Sequence, residues 1–580
     1  MIMETRKESG YRNIQDTSSG PKVVWQYPHP SLLIIILPVL LAFASIAIQN
    51  WNMVFDDAFI SYRYAQNLAM GHGITWNPGY PPTEGYTNFL LVLILAPVIW
   101  AGFDPLLFTR ILSFVCVIAM SGILFTVAKR QYSCSPTVAS MIAALVFLVP
   151  ATEVLCLAGL ETVIYAFFLL ITFIAGITFI DRNQLSHSIL FSSLLILTML
   201  LRPEAALLYP VVSIATVIVA IRHKSTLKPL MAGFFALLVM GGAYLAWKYL
   251  HFGHLLPNPF FVKAAGQDFF NPDGLRSAMF FINEYALLLF LALFGLIRPF
   301  VTGHPNQRWN KLVVVTGSAF VVVYCLFFSH IDTLMDIYGR FLYPLVPLVI
   351  LLATPTLAKA LGFIESVSTH RKYVLPGLMV VFLLVFAPTD ISRLPDRLNK
   401  LFSNNNFQSY ESYMGKELRT SKALARFPQI KKVRIAFADA GVMPYYSGAI
   451  WLDVVGLNDG FIARTREKDK LTDYFFDWSA DLVIHPGRAG QSWLRNGHGP
   501  LGDYLSWSND PRWDEYQYVG TSKMKGIPYD LQYLVKKSSQ FRGPLEAFLK
   551  ANVVDGWYDP FPLPIGTYYP KEIQPKWWSR

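Results

Sequence analysis

Residues 31–64 read SLLIIILPVLLAFASIAIQNWNMVFDDAFISYRY, an apolar run followed by two adjacent carboxylates, Asp56 and Asp57. The run from Ser31 to Ile48 is long enough to span a bilayer. Carboxylates at the mouth of a membrane span cost free energy unless water, a cation or a basic partner satisfies them. The stretch therefore predicts a membrane protein with a candidate site beside its first span. The alternative is that both acids are simply solvated at the interface.

The composition divides the chain into two parts. Of its 580 residues, 53% are hydrophobic and only 15% are charged. Apolar runs dominate residues 31–388, which predicts a transmembrane domain, whereas residues 389–580 mix charged, aromatic and polar residues like a separate soluble domain. Residues 1–30, rich in Ser, Gly and charge, are expected to form a disordered cytoplasmic tail.

The net charge of +11 does not indicate nucleic-acid binding, because the basic residues form no continuous stripe. They lie in short clusters between apolar runs, at 129–130, 222–224, 308–311 and 371–372. This distribution is typical of membrane topology.

Segments of about 20 mostly apolar residues are candidate spanning helices. They are 31–49, 106–128, 135–150, 162–180, 188–201, 204–221, 229–250, 284–300, 312–329, 340–360 and 373–388, with 88–102 as a shorter one. The basic clusters all fall inside only if 88–102 is a re-entrant or interfacial helix. We therefore predict about 11 crossings, a cytoplasmic N-terminus and an extracytoplasmic C-terminal domain.

This orientation places most of the unusual polar residues on one face of the membrane. The first outer loop, residues 51–87, would hold the acid pair, and four later outer loops would supply further charges. The candidates that these loops carry are Asp56, Asp57, Arg63, His72, Glu84, Glu161, Arg202, Glu204, Asn258, Lys263 and Arg340. A catalytic site at the outer membrane surface accounts for this grouping.

The C-terminal part shows strand-like patches separated by turn signals. Residues 432–438 alternate with period two, and residues 449–456 and 481–484 are also strand-like. Helical stretches fit between them, so a small α/β domain is predicted.

The two acids cannot share one role on a helix, because successive residues point about 100° apart. One can face a reaction centre while the other orients it, caps the helix or meets a cation such as Arg63. Transfer of a sugar to a hydroxyl needs a base, and a carboxylate suits that task. His72 is either a base or a loop-packing side chain, and Glu84 is a candidate for binding a substrate hydroxyl.

The order of the motifs carries a resemblance to a known class. The early motifs are Asp56-Asp57, a Gly71-His72-Gly73 loop with Asn77-Pro78-Gly79, and Glu84-Gly85-Tyr86-Thr87; later ones are at 158–162, 201–204, 255–260, 338–341, 439–441 and 453–459. This series resembles bacterial integral-membrane glycosyltransferases of the GT-C class. Within it, the chain most resembles the group that contains the mycobacterial terminal β-(1→2)-arabinofuranosyltransferase.

The resemblance implies a GT-C fold and a catalytic acid in the first outer loop. Such enzymes take a sugar from a polyprenyl-phosphate donor and pass it, with inversion, to a cell-envelope glycan or lipid acceptor outside the bacterial inner membrane. Asp56 or Asp57 would be the general base, with Asp56 slightly preferred. The chain is rich in Ile, Lys, Asn and Phe, unlike actinobacterial members, so the sugar is either arabinofuranose or another pentose or hexose.

The remaining candidates have a binding and a structural interpretation each. Lys263, Arg340 and Arg202 could hold the phosphate, although Arg202 could instead pair with Glu204 or Glu161. Glu161 could also stabilise a helix dipole. The others are Asn258, which could instead form a structural turn, Tyr338 of the 338–341 motif, and Asp439 and Asp453, which could bind acceptor or fix loops.

No cofactor is required by this chemistry, although a divalent cation such as Mg²⁺ or Ca²⁺ could bind at Asp56 and Asp57. Two other classes of protein compete with the enzyme: a transporter or flippase for lipid-linked glycans, and a non-catalytic assembly protein. A transporter should show internal repeats and charges near the middle of its spans. No repeat is evident, and the charges gather at one end of the spans.

Overall fold

The computed structural model describes residues 50–264, 271–297, 307–367, 408–488, 510–522 and 529–554, apart from positions 332, 334, 335 and 466, together with part of 37–48. The predicted tail at 1–30 and the predicted span at 373–388 lie outside the described residues.

The membrane part is a succession of helices. In chain order they are α1 (Asp56–Ala69), α2 (Phe89–Trp100), α3 (Pro105–Tyr132), α4 (Pro136–Leu148), α5 (Pro150–Leu157), α6 (Thr162–Arg182), α7 (Leu185–Leu201), α8 (Leu208–His223), α9 (Lys228–Phe252), α10 (Asn258–Ala264), α11 (Pro272–Glu284), α12 (Ala286–Ile297), α13 (Gln307–Ser329) and α14 (Val346–Val367). Helical residues also occur within 37–48.

Within the described residues, six helices are long and apolar enough to cross a membrane, or up to eight if each of two bent pairs is one span. The bent pairs are α4 with α5, at 55°, and α11 with α12, at 75°. The chain is therefore a multi-pass membrane protein, and about 11 crossings stays a prediction.

Helix α2 corresponds to the segment predicted to be re-entrant or interfacial. Its 12 residues are shorter than a bilayer requires, and Pro97 lies inside it. A helix of this length rises about 18 Å, against a hydrocarbon core of about 30 Å. A re-entrant or interfacial position for α2 stays a prediction, and this short length fits it.

The C-terminal part contains one mixed sheet flanked by helices. Its elements are α15 (Gln408–Leu424), β1 (Arg434–Phe437), α16 (Val442–Ser447), β2 (Ile450–Asp453), α17 (Gly460–Arg464), α18 (Lys468–Trp478), β3 (Leu482–Arg488), β4 (Tyr516–Ser522), β5 (Tyr529–Lys536) and α19 (Arg542–Asn552). The strand order is β2-β1-β3-β5-β4. β1 is parallel to β2 and β3, whereas β5 is antiparallel to β3 and β4. The three predicted strands are β1, β2 and β3.

The two faces of this sheet belong to two apolar cores. Ile435 and Phe437 of β1 join a core that continues into the membrane helices. Ala436, between them, faces a smaller core with Phe475 and Trp513. This alternation follows from the two-residue period of a strand.

Helix α1 lies between the membrane helices and the C-terminal domain. Phe59 packs against Tyr445 and Tyr446 of α16, with ring centroids 5.4 and 5.5 Å apart. Asn77, in the loop after α1, accepts from the backbone N–H of Trp451 at 3.1 Å and donates to its carbonyl at 2.8 Å. The loop after α1 is thus held against the C-terminal domain, which covers Asp56.

Candidate active site

Asp56 and Asp57 are the first two residues of α1, where negative charge is favourable to the helix dipole. Their carboxylates face different partners, as the helical geometry requires. Asp56 faces the C-terminal domain, and Asp57 faces the segment before α14.

Asp57 forms an ion pair with Arg340. The distance from Arg340 Nη2 to Asp57 Oδ2 is 2.6 Å, and 28% of the Asp57 side chain is exposed against 5% for Arg340. Burial alone would raise the pKa of Asp57, but the positive charges of Arg340 and Lys263 outweigh it and hold the pKa below its ordinary value. Asp57 is therefore a carboxylate at neutral pH.

Three cations surround the ring of Phe341. The charged groups of Lys263, Arg340 and Arg202 lie 5.0, 5.1 and 5.3 Å from its centroid. Like charges gathered this closely repel one another unless anions intervene. Arg340 Nε is buried and has no hydrogen-bond partner among the described residues. The three residues predicted to hold a phosphate thus converge beside Asp57.

Arg202 is held in this cluster by two acids. Its Nε donates to Glu161 at 2.7 Å and its Nη1 donates to Glu204 at 3.2 Å. Glu161 also accepts from Asn88 at 2.7 Å, and Asn88 in turn accepts from Ser61 of α1 at 2.8 Å. Arg202 thus pairs with both of the acids, Glu161 and Glu204, that the sequence analysis named as alternatives. A continuous chain of hydrogen bonds connects these pairs to α1.

Asp56 is buried against the start of α16. Its Oδ1 accepts from the backbone N–H of Val442 at 2.7 Å. A Cβ added to Gly441 would lie 2.0 Å from the Asp56 carbonyl oxygen and 2.4 Å from Oδ1, so only glycine allows this approach. Burial and the charge of Asp57 raise the pKa of Asp56 to about 7, against the lowering effect of the backbone N–H groups.

Two further acids lie near Asp56. Glu417 of α15 is fully buried, and burial together with the charge of Asp56 raises its pKa well above the ordinary value. Asp439, half-buried after β1, has its pKa raised by burial and by the charges of Asp56 and Asp57. In the described parts of the chain, no three or more His, Cys, Asp or Glu side chains are arranged to hold a metal ion.

The Asp453 carboxylate is hydrogen-bonded to the loop that follows it. Its carboxylate accepts from the backbone N–H groups of Val455, Gly456 and Asn458, at 3.0, 3.2 and 2.8 Å, and from the Asn458 side chain at 3.0 Å. This arrangement fits the loop-fixing alternative for Asp453.

Arg63 connects α1 and the loop that follows it to the C-terminal domain. The buried guanidinium donates to the carbonyls of Trp76, Pro444 and Ala449 and to the Asn77 side chain. These Arg63 hydrogen bonds therefore go to acceptors within the protein, which fits a structural contact better than a substrate ligand.

Glu84 pairs with a lysine of a spanning helix. Lys248 Nζ of α9 lies 2.9 Å from Glu84 Oε2, and both side chains are buried. Burial raises the pKa of Glu84 to about 7, although Lys248 opposes the shift. The Glu84 carbonyl accepts from the backbone N–H of Asn258 at 2.9 Å, which places α10 beside this pair.

Three other candidates differ in their surroundings. His72 is exposed in the turn after α1. Tyr338 is half-buried and has φ +58° and ψ +25°, a left-handed conformation that costs free energy in a residue other than glycine. Asn258 is buried, and its side-chain oxygen accepts from Arg464 of α17 at 3.0 Å.

The sequence interpretation missed several charged residues that the structure places at the seam between the two domains. Lys248 could have been found, because an ionisable residue within a spanning helix is a signal in itself. Glu417 and Arg464 had no such signal, since charged residues in a soluble domain are usually solvated.

Comparison with known structures shows the fold. The chain is similar to the crystal structure of ArnT from Cupriavidus metallidurans bound to undecaprenyl phosphate, with a TM-score of 0.51 and 12% sequence identity, over 88% of this chain and 99% of that chain. The predicted GT-C fold, a helical membrane domain followed by a C-terminal domain with a sheet, is thereby confirmed. The narrower resemblance to arabinofuranosyltransferases stays a prediction.

Residues 406–535 match a domain family described as "Domain of unknown function (DUF8728)". This range covers α15 to β5, which is most of the described C-terminal domain. No curated protein matches the sequence.

Proposed function

We propose that the protein is a GT-C glycosyltransferase that moves a sugar from a polyprenyl-phosphate donor to an acceptor hydroxyl at the outer face of the membrane. The observation that carries the proposal is the Asp57–Arg340 pair inside a cluster of three cations. The site thus contains a base and a place for a phosphate side by side. The similar structure of ArnT holds undecaprenyl phosphate, which supports a polyprenyl-phosphate ligand.

The cations suit the leaving group of such a reaction. A departing polyprenyl phosphate carries negative charge, which fixed positive groups in a partly buried site stabilise. Arg340 offers its Nε, which has no hydrogen-bond partner among the described residues, and Lys263 offers an ammonium. Arg202 adds a third positive charge.

Asp57 is the proposed general base. A base has to contact the acceptor hydroxyl, so accessibility matters before pKa. Asp57 is partly exposed and ionised at neutral pH, whereas Asp56 is buried under Gly441 and Val442. This assignment reverses the slight preference for Asp56 that the sequence alone suggested.

Sugar transfer proceeds as a single displacement at the anomeric carbon. The acceptor oxygen forms a bond to the anomeric carbon while its proton passes to the Asp57 carboxylate. The bond from the anomeric carbon to the phosphate oxygen breaks, and its electron pair leaves with the polyprenyl phosphate. Attack from the face opposite the phosphate inverts the configuration.

Asp56 takes a positioning role in this proposal. Its hydrogen bond to the Val442 N–H fixes the first turn of α1 against the C-terminal domain and so orients Asp57. The transferred sugar would be arabinofuranose or another pentose or hexose, and the acceptor an envelope glycan or glycolipid. The enzyme would reside in a bacterial inner membrane, with its N-terminus in the cytoplasm and its C-terminal domain outside.

The proposal is tested with the purified full-length protein in lipid nanodiscs. Radiolabelled polyprenyl-phosphate pentoses and hexoses are supplied with saccharide acceptors, and sugar transfer and release of polyprenyl phosphate are measured. Transfer from one donor supports the proposal. If the protein in proteoliposomes moves the intact donor from one leaflet of the bilayer to the other and transfers no sugar, the flippase alternative is supported instead.

A further inference from the structure

A second polar cluster lies at the N-terminal end of α10. Lys263, near the C-terminal end of this helix, belongs to the cation cluster beside Asp57. Asn258 and Phe261 are three residues apart on this helix and therefore share a face. Arg464 of α17 contacts both: its Nη2 donates to Asn258 Oδ1 at 3.0 Å, and its guanidinium carbon lies 4.9 Å from the Phe261 ring centroid. The cluster thus joins the membrane domain to the C-terminal domain.

Two buried polar atoms in this cluster have no hydrogen-bond partner among the described residues. They are Asn258 Nδ2, on a residue with no exposed surface, and His254 Nε2. Burial and the positive charges of Arg464 and Lys248 lower the pKa of His254 to about 4, so its imidazole is neutral at neutral pH. Buried polar atoms without partners are rare in proteins, and they mark places where a ligand can supply the missing contacts.

The chemistry of these atoms selects the class of ligand. The Asn258 amide can only donate from Nδ2, whereas a neutral imidazole nitrogen donates or accepts according to its tautomer. A sugar hydroxyl does both, so it can satisfy an amide donor and an imidazole nitrogen at once. An acyl chain would satisfy neither.

An exposed aromatic pair completes the site. Phe461 precedes Arg464 by three residues on α17, so both lie on one face. Its ring stacks on Tyr474, with centroids 4.4 Å apart and planes at 28°, and 42% of the residue remains exposed. An exposed aromatic face beside an arginine offers a sugar ring both stacking and hydrogen bonding.

The position of the cluster relates it to the proposed reaction. Asn258 and Lys263 occupy the two ends of α10, five residues apart, which corresponds to about 8 Å along the helix axis. Lys263 lies in the cation cluster beside Asp57. A saccharide chain that ended at Asp57 could therefore continue toward Arg464.

We infer that Asn258, His254, Phe461 and Arg464 form a subsite that binds the acceptor saccharide one or more sugar units behind the reacting hydroxyl. This inference rests on the proposed function for its place in the reaction. The binding of a saccharide at this seam does not itself depend on transfer.

The test therefore combines binding with kinetics. The full-length protein in nanodiscs is applied to an array of pentofuranose and hexopyranose oligosaccharides, as wild type and as Phe461→Ala and Arg464→Gln. Tyr518→Ala is the matched control, because Tyr518 is an aromatic residue of the same domain with 46% exposure. We expect the wild type and the control to bind one saccharide series, and both site variants to bind it about tenfold more weakly.

In the transfer assay, the same two variants should raise the KM for the acceptor about tenfold and leave kcat and the donor KM unchanged. If the wild type binds saccharide but transfers no sugar, and the two variants lose the binding, the subsite is supported and the proposed function is contradicted. Equal binding by the wild type and both variants would overturn the subsite. So would an increase confined to the donor KM, which would assign the seam to the lipid donor.

Discussion

The Asp57 carboxylate and the Arg340 guanidinium lie 2.6 Å apart, although 283 positions separate them in the chain. The contact joins the first turn of α1 to the segment before α14. It places the proposed base in direct contact with a residue that is proposed to bind the phosphate. Arg340 therefore favours the ionised form of Asp57, and each side chain orients the other.

Replacing Arg340 with Gln should change the pH dependence of transfer. The charge of Arg340 is the largest influence that lowers the pKa of Asp57. Without it, that pKa rises, so Asp57 takes up a proton at higher pH as the pH falls. The acidic limb of the pH–rate profile should therefore move to higher pH, and the donor KM should rise.

Arg276→Gln is the control for this variant, because Arg276 is exposed and pairs only with Asp273 among the described residues. Its profile should match the wild type. An acidic limb at the same pH in Arg340→Gln and in the wild type would contradict Asp57 as the base.

Gly441→Ala should impair both docking of the C-terminal domain and catalysis. The new Cβ would lie 2.0 Å from the Asp56 carbonyl oxygen, and that backbone cannot move without displacing Asp57. Gly415→Ala is the control, since Gly415 lies in α15 and nothing is within 4 Å of a Cβ there. We expect a fall in kcat of at least about tenfold for Gly441→Ala, measured by radiolabel transfer. Equal rates for the two variants would contradict a positioning role for this contact.

Arg63→Gln should loosen the C-terminal domain. The substitution removes donors from the buried carbonyls of Trp76, Pro444 and Ala449. Leaving a buried acceptor unpaired costs about 1–3 kcal/mol, so several together should lower the midpoint of thermal unfolding. Amide hydrogen exchange should also become faster in residues 441–451. Arg426→Gln, at an exposed position, should change neither quantity; unchanged exchange in Arg63→Gln would show that these contacts do not hold the domains together.

The two acids of Arg202 should differ in their contribution to stability. Glu161 accepts from both Arg202 and Asn88, at 2.7 Å each, whereas Glu204 accepts from Arg202 at 3.2 Å. Breaking a buried pair by removing one partner costs about 3–5 kcal/mol. Glu161→Gln should therefore destabilise the protein more than Glu204→Gln in thermal unfolding. The opposite order would show that Glu204 is the principal partner of Arg202.

Much of the fold could be predicted from the sequence, because long apolar runs specify helices without reference to tertiary contacts. The convergence of Lys263, Arg340 and Arg202 near Asp57 was anticipated only as a shared face of the membrane. Their arrangement around Phe341 depends on how α10 and the segment before α14 pack.

Other features could not be predicted because they depend on contacts across the seam. Asp56 and Asp57 look equivalent in sequence, and only Gly441 and Val442 of the C-terminal domain make one buried and leave the other accessible. Arg63 was a candidate substrate ligand because nothing in the sequence shows that carbonyls of α16 and the following loop engage it. Strands β4 and β5 were not predicted, although Gly526 and Pro528 lie between them in the sequence.

Substitution of each acid in turn tests whether Asp57 is the base of a sugar transfer. Transfer from a radiolabelled polyprenyl-phosphate sugar is measured for the wild type, Asp57→Asn and Asp56→Asn in nanodiscs. Asn at position 56 keeps an oxygen that can accept from Val442, so we expect Asp56→Asn to retain activity within about tenfold of the wild type. Asp57→Asn should lose about 10²–10⁴-fold in kcat. Full activity in Asp57→Asn would show that Asp57 is not the base, and loss confined to Asp56→Asn would assign the base to Asp56.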